Sequence, residues 1–125
     1  LRPSDYFAVT AYIQQQPDTD SIFQDLRRHV SVVHNVCSTI GYGPRFLHST
    51  GQLHKGGPDE CVVLQVVSNH RQDVAVPGKS YSFGTVANSQ ALGDLRALLS
   101  LNRRVGRIIL DDDQPSLLAS ALQSL

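Results

Sequence analysis

Between His48 and Gly57 the chain sets two imidazoles, two hydroxyls, an amide and an ammonium among glycines, in the order His48, Ser49, Thr50, Gly51, Gln52, Leu53, His54, Lys55, Gly56, Gly57. Glycines without a side chain let the backbone come close to a ligand. The hydroxyls, the backbone N–H groups and the Lys55 ammonium suit a phosphate or the hydroxyls of a sugar. His48 and His54 can exchange protons near neutral pH. The chemistry implied is acid–base work on a phosphorylated sugar, set against the plainer reading of a polar turn. Arg45, just before the stretch, can reach a phosphate or pin the segment by bonding its carbonyls. No metal site is expected, because the two histidines have no nearby cysteine and no carboxylate before Asp59.

The elements that must position these residues alternate. Tyr6 to Ile13 is β-branched, aromatic and apolar at nearly every position, the pattern of a strand covered on both faces. After Pro17, Asp18 or Asp20 can cap a helix carrying Ile22, Phe23, Leu26 and Val30. A second strand is expected within Val32 to Ile40, and a third over Cys61 to Val67. Gly41 to Pro44 breaks regular structure, so Arg45 to Pro58 is expected as a loop. Val74 to Lys79 predicts a short extended piece, and Ser80 or Ser82 opens a helix through Asn102, with Phe83, Val86, Ala91, Leu95, Leu98 and Leu99 on its inner side. Arg104 to Leu110 predicts a further strand. Pro115 starts a last helix with Leu117, Leu118, Ala121, Leu122 and Leu125 turned inward.

Strands alternating with helices predict an α/β domain of three layers, a mostly parallel sheet flanked by helices. Ligands of such sheets sit beyond the carboxyl ends of the strands, where the segment after the second strand falls. At 125 residues the chain fits a single domain spanning 1–125. Eleven Lys and Arg balance eleven Asp and Glu, which removes the broad attraction that nucleic-acid or anionic-membrane binders use. Apolar runs fall far short of the roughly 20 residues of a membrane span. Cys37 and Cys61 lack zinc or redox spacing and read as reduced core residues. The absence of any Met, at Leu1 included, points to an excised piece of a longer chain.

The run from Gly41 through Tyr42, Gly43, Pro44, Arg45, Phe46, Leu47 and His48 to Pro58 resembles the signature of the isomerase half of bifunctional transaldolase/glucose-6-phosphate isomerases. Tyr81-Ser82-Phe83-Gly84 and Gln90-Ala91-Leu92-Gly93-Asp94-Leu95 resemble the closing part of the same family. The resemblance covers nearly the whole chain. It implies a sugar isomerase (SIS) type fold, cytoplasmic location, no cofactor, and interconversion of glucose 6-phosphate and fructose 6-phosphate through an enediol. The implied activity belongs to the carbohydrate metabolism of glycolysis, gluconeogenesis and the pentose phosphate pathway. His54-Lys55-Gly56 is similar to the His-Gln-Gly of ordinary phosphoglucose isomerases, whose histidine reaches into the neighbouring subunit's site, so His54 is implied as the ring-opening acid and base. Arg45, Ser49, Thr50, Gly51, Gln52, Lys55 and Gly56 are implied to bind substrate.

The sequence departs from that pattern in two places. The family's proton-shuttling glutamate has no counterpart, since Glu60 is the chain's one glutamate and follows the stretch; His48 lies near the position it would occupy. The late lysine of ordinary isomerases is also missing, the two lysines being Lys55 and Lys79. A first SIS half and an N-terminal transaldolase are therefore expected as missing partners, with a second copy of the chain as a further candidate. The alternative is a non-catalytic module that binds sugar phosphate or buttresses a fused transaldolase. Gln90 and Asp94 read mainly as an exposed helical pair. Arg103, Arg104 and Arg107 read as balanced by Asp111, Asp112 and Asp113 around a solvated turn, and His29, His34 and His70 carry no assigned chemistry.

Overall fold

The computed structural model describes residues 1–123. Four strands, β1 (Tyr6–Tyr12), β2 (Cys37–Tyr42), β3 (Cys61–Ser68) and β4 (Arg104–Leu110), form one parallel sheet in the order β2-β1-β3-β4. Helices α1 (Pro17–His34) and α4 (Pro115–Gln123) cover one face; α2 (Thr50–Gly56) and α3 (Phe83–Ser100) cover the other. The expected inward turn of Leu125 lies outside the described residues.

Alternation along the strands sorts side chains between these layers. Val9, Ala11, Leu64, Val66 and Leu110 meet Phe23 of α1 and Leu118 of α4 in the larger core. On the opposite face Ala8, Cys61 and Val63 pack on Leu98 of α3, while Tyr12 and Val67 pack on Phe46 and Ala91. A polar row crosses this second face: Thr10 is in register with Gln65, and Gln65 with Arg107. Gln65 is fully buried and spends both ends of its amide, accepting from Arg107 Nε at 2.7 Å and donating to the Ala91 carbonyl at 3.0 Å.

Two boundaries differ from the sequence reading. Helix α1 begins at Pro17 itself, capped by Gln16, whose backbone N–H donates to Thr19 Oγ1 at 2.9 Å. It then continues through Val32 and Val33, which face solvent at 79% and 56% exposure, instead of starting a strand there. β-Branched residues cost a helix only about half a kcal/mol each, and the stop comes from Asn35 in the left-handed region at φ 53°. Strand β2 follows at Cys37, which on this edge strand is exposed and not a core residue; Cys61 is buried as expected.

The second correction concerns α3. Ser82 caps it, its hydroxyl accepting from the Thr85 N–H at 3.1 Å. The buried residues are Gly84, Ala91, Asp94 and Leu98, while Phe83, Val86 and Leu99 are exposed. Apolar residues surround this helix on several sides, so periodicity alone misplaces its inner face. Val74 to Lys79 forms no strand beyond a single antiparallel bridge, Ala75 to Ser82.

Candidate functional site

The segment expected as a loop is mostly helical. Arg45–His48 makes a short 3-10 turn, and Thr50–Gly56 is α2. The glycine at 51 serves packing: a Cβ there would lie 2.9 Å from the Phe46 carbonyl and 3.0 Å from its ring. Gln52 is exposed and donates to the Leu47 carbonyl at 2.6 Å, closing the 3-10 turn. Gly56 is exposed at the end of α2, with nothing near its Cβ position. The polar density of the sequence is thus divided between two ends of a small helix.

His54 and His48 are not brought together. His48 is exposed at the end of the 3-10 turn, whereas His54 is 4% exposed and sits against residues that begin strands β1 and β3. The Tyr6 hydroxyl lies 2.9 Å from His54 Nδ1, and Cys61 Sγ lies 3.6 Å from the same nitrogen. His54 is therefore on the amino-terminal side of the sheet and does not face a solvent rim. Burial lowers its pKa; Asp94 opposes this and Lys55 adds to it. Burial also raises the Cys61 thiol and the Tyr6 phenol, so this trio is neutral around pH 7.

Lys55 is engaged as well. Its Nζ lies 3.0 Å from Asp94 Oδ1, and the carboxylate side chain is 3% exposed, so Asp94 is no surface residue and Lys55 binds α2 to α3. Arg103 secures the same corner by donating to the carbonyls of Lys55 at 2.7 Å and Gly57 at 2.5 Å. Arg104 forms a two-pronged pair with Asp5, at 2.6 and 2.7 Å, while Arg107 turns inward to Gln65. The arginines do not balance Asp111, Asp112 and Asp113. Arg103 and Arg104 stand at the start of strand β4, about 20 Å by strand rise from the aspartates that follow its far end, and Arg107, within the strand, is spent on Gln65.

Arg45, Ser49 and Thr50 do share a surface. They line a cavity of about 430 Å³ with Gln15 and Tyr42 at the carboxyl ends of β1 and β2. One Arg45 guanidinium N–H donates to Gln15 Oε1 at 3.0 Å, and Gln15 in turn donates to Asp20 at 3.2 Å. The guanidinium is on the surface, bonded to a neutral amide and not to a carbonyl of its own segment. Two hydroxyls and a guanidinium at one opening can take a phosphoryl group.

A crevice of about 450 Å³ lies beside it, where the ends of β1 and β3 meet the start of α3, lined by Tyr12, Gln14, Gly43, His70, Asp73 and Gly84 among others. Asp113 ties its walls: Oδ2 lies 2.9 Å from His70 Nδ1, and Oδ1 accepts from the Gln14 N–H at 3.3 Å. Asp73 caps α3 by accepting from the Gly84 N–H at 2.7 Å, and bonds from Ser82 and Gly84 hold its carboxyl below the ordinary value. Sequence reading gave His70 no chemistry and treated Asp113 as turn charge. The available signal was positional, since each follows a strand's carboxyl end by two or three residues. Among the described residues, no three His, Cys, Asp or Glu side chains gather as a metal would require.

No protein-family model matches the chain, and no curated protein matches its sequence. Among solved structures it is similar to a hypothetical protein, TT0462, from Thermus thermophilus, with TM-score 0.76 and 16% identity over 98% of this chain. It is also similar to a de novo designed Rossmann fold protein, with TM-score 0.50 and 11% identity over 96% of this chain and 95% of that one. The chain has a Rossmann-like α/β fold. At these identities the likeness concerns the fold alone. The chain spans 34% of the length of the Thermus protein. No helix among the described residues is long and apolar enough to cross a membrane.

Proposed function

We propose that this chain is the second SIS half of a glucose-6-phosphate isomerase fused to a transaldolase, acting in the cytoplasm on glucose 6-phosphate and fructose 6-phosphate. The observation that carries the reading is the cavity shared by Arg45, Ser49 and Thr50, which sets the centre of the isomerase-like motif at the carboxyl edge of a parallel sheet. Arg45 supplies the charge that holds the phosphoryl group, and the two hydroxyls orient it. Isomerisation moves a proton between C2 and C1 through the enediol, with ring opening by an acid and a base. The first SIS half and the transaldolase are the partners this reading requires, and for His54 to serve a neighbouring subunit's site it must leave its contacts with Tyr6 and Cys61 on assembly.

One observation favours the second reading, a sugar-phosphate-binding or buttressing module without catalysis. His54, the implied ring-opening residue, is buried against Tyr6 and Cys61, away from the Arg45 cavity. Fructose 6-phosphate separates the two, with binding to the chain followed by amide NMR shifts and glucose 6-phosphate formation by the full-length parent, which carries those partners, followed by a coupled dehydrogenase. Turnover lost in His54→Ala supports the isomerase. Binding to the chain without turnover in the parent supports the module, and silence in both measurements removes the isomerase and the sugar-phosphate-binding readings and leaves a buttress.

A further inference from the structure

We propose that Asp20 is a positioning residue for the Arg45 cavity: acting through Gln15, it holds the guanidinium in place with a two-pronged edge left free for an anion. Four residues from two segments of chain make the link. Tyr42 ends β2, and its ring meets edge-on that of Phe23, a fully buried residue of α1, with centroids 6.1 Å apart. From that anchored position its hydroxyl donates to Asp20 Oδ1 at 2.7 Å. Burial, with Asp20 beside it, pushes the Tyr42 phenol up to about 12, so it keeps the proton it donates. The Asp20 oxygens also accept from Gln15 Nε2, at 3.3 and 3.2 Å. A carboxylate only accepts, so Gln15 must turn its NH2 toward Asp20 and its oxygen the other way. That oxygen receives an N–H of Arg45 Nη2 at 3.0 Å.

Holding an arginine through a neutral amide preserves its charge for a ligand. Where Arg104 meets Asp5 directly, both prongs go to the carboxylate, at 2.6 and 2.7 Å. The Arg45 guanidinium makes one hydrogen bond among the described residues, and the lining of its cavity includes Gln15 but no carboxylate. Whichever Nη2 hydrogen that bond uses, one edge of the guanidinium keeps two parallel N–H groups, the arrangement that grips two oxygens of a phosphoryl group. A long side chain ordered before the ligand arrives does not have to be ordered by it. The place of Asp20 in the first turn of α1 does not account for its bonds, because Gln16 and Thr19 already close the cap and Asp18 supplies charge there too. The role rests on the sugar-phosphate reading and adds to it two residues outside the isomerase-like run, Asp20 and Gln15.

The test reads Arg45 of the chain in two ways. The heteronuclear NOE of its Nε–H reports whether the guanidinium is held, and amide NMR shifts at Ser49 and Thr50 report affinity for inorganic phosphate. In the native chain the Arg45 Nε–H is expected to be nearly as ordered as the backbone around it. Asp20→Ala and Gln15→Met are each expected to drop it to the value of an exposed arginine such as Arg71 and to weaken phosphate about fivefold. Gln15→Glu is expected to keep Arg45 ordered and still weaken phosphate, because a carboxylate then offsets the charge. A mobile Arg45 in the native chain overturns the positioning role, as does an Arg45 equally ordered in Asp20→Ala and Gln15→Met, or phosphate binding undiminished in both. Phosphate silence in the native chain, with Arg45 ordered there and released by the variants, overturns the sugar-phosphate reading and leaves the positioning standing. Should Asp20→Ala fail to fold, Gln15→Met, exposed and outside any helix, decides by the same two readouts.

Discussion

A buried imidazole makes stability depend on pH with a definite sign. The folded pKa of His54 lies below its ordinary value of 6.5, so below that pH the unfolded chain binds more protons than the folded one. The contribution is complete above pH 6.5 and is lost as pH falls toward and through the folded pKa. Urea midpoints measured from pH 7.5 downward should decline more in the native chain than in His54→Gln; parallel curves would mean that the ring is solvated. Asp5 behaves with its own window, because the Arg104 guanidinium holds its carboxyl at about 2 against an ordinary 3.8. Its stabilisation is present above pH 3.8 and disappears as pH falls toward 2, so Asp5→Asn should lie below the native chain at pH 5 and converge with it near pH 2. Neither residue advertised this in the sequence. His54 stood in a polar, glycine-spaced run and Asp5 at a terminus, and only the return of α2 and β4 to the amino edge gives them partners 48 and 99 positions away.

Helices α2 and α3 are joined by a charge pair whose two members respond differently from their sum. Lys55→Met leaves the Asp94 carboxylate nearly buried and alone, at a cost of about 3 kcal/mol, whereas Lys55→Met with Asp94→Leu should recover most of that loss. Chemical denaturation of the single and double variants measures the difference, and equal losses would mean that the stranded Asp94 carboxylate carries no cost. Two glycines give opposite signs by the same measurement. Gly51→Ala pushes a methyl into the Phe46 carbonyl and ring and should destabilise by about 1–3 kcal/mol. Gly93→Ala, exposed inside α3 with nothing within 4 Å of the new methyl, should stabilise by up to about 1 kcal/mol. Elements with a single strong signal were legible: the apolar runs of β1, β3 and β4 and Pro115 opening α4, while the cap of α3 was narrowed to Ser80 or Ser82. Helix α2 was not, because glycines that allow close packing carry the same composition as glycines that make a turn.

The whole molecule explains why one contiguous segment ends up at two edges of the sheet. Helix α2 is seven residues, about 10 Å long, which suffices to carry the chain from the carboxyl edge at Arg45 back toward the amino edge at His54. Alternating strand and helix patterns disclosed the parallel three-layer architecture, and the rule that ligands gather at carboxyl ends located Arg45, Ser49 and Thr50. The same rule, applied to β1, β3 and β4, reaches Gln14, His70 and Asp113, whose partnership depends on loops brought together by the sheet and by no spacing in sequence. Calorimetric titration of the chain with fructose 6-phosphate and with fructose tests the central claim most directly. The account predicts that the phosphorylated sugar binds at least tenfold more tightly, and that Arg45→Ala removes this preference while leaving the fold intact. Equal affinity for the two sugars, or a phosphate preference undiminished in Arg45→Ala, would contradict it.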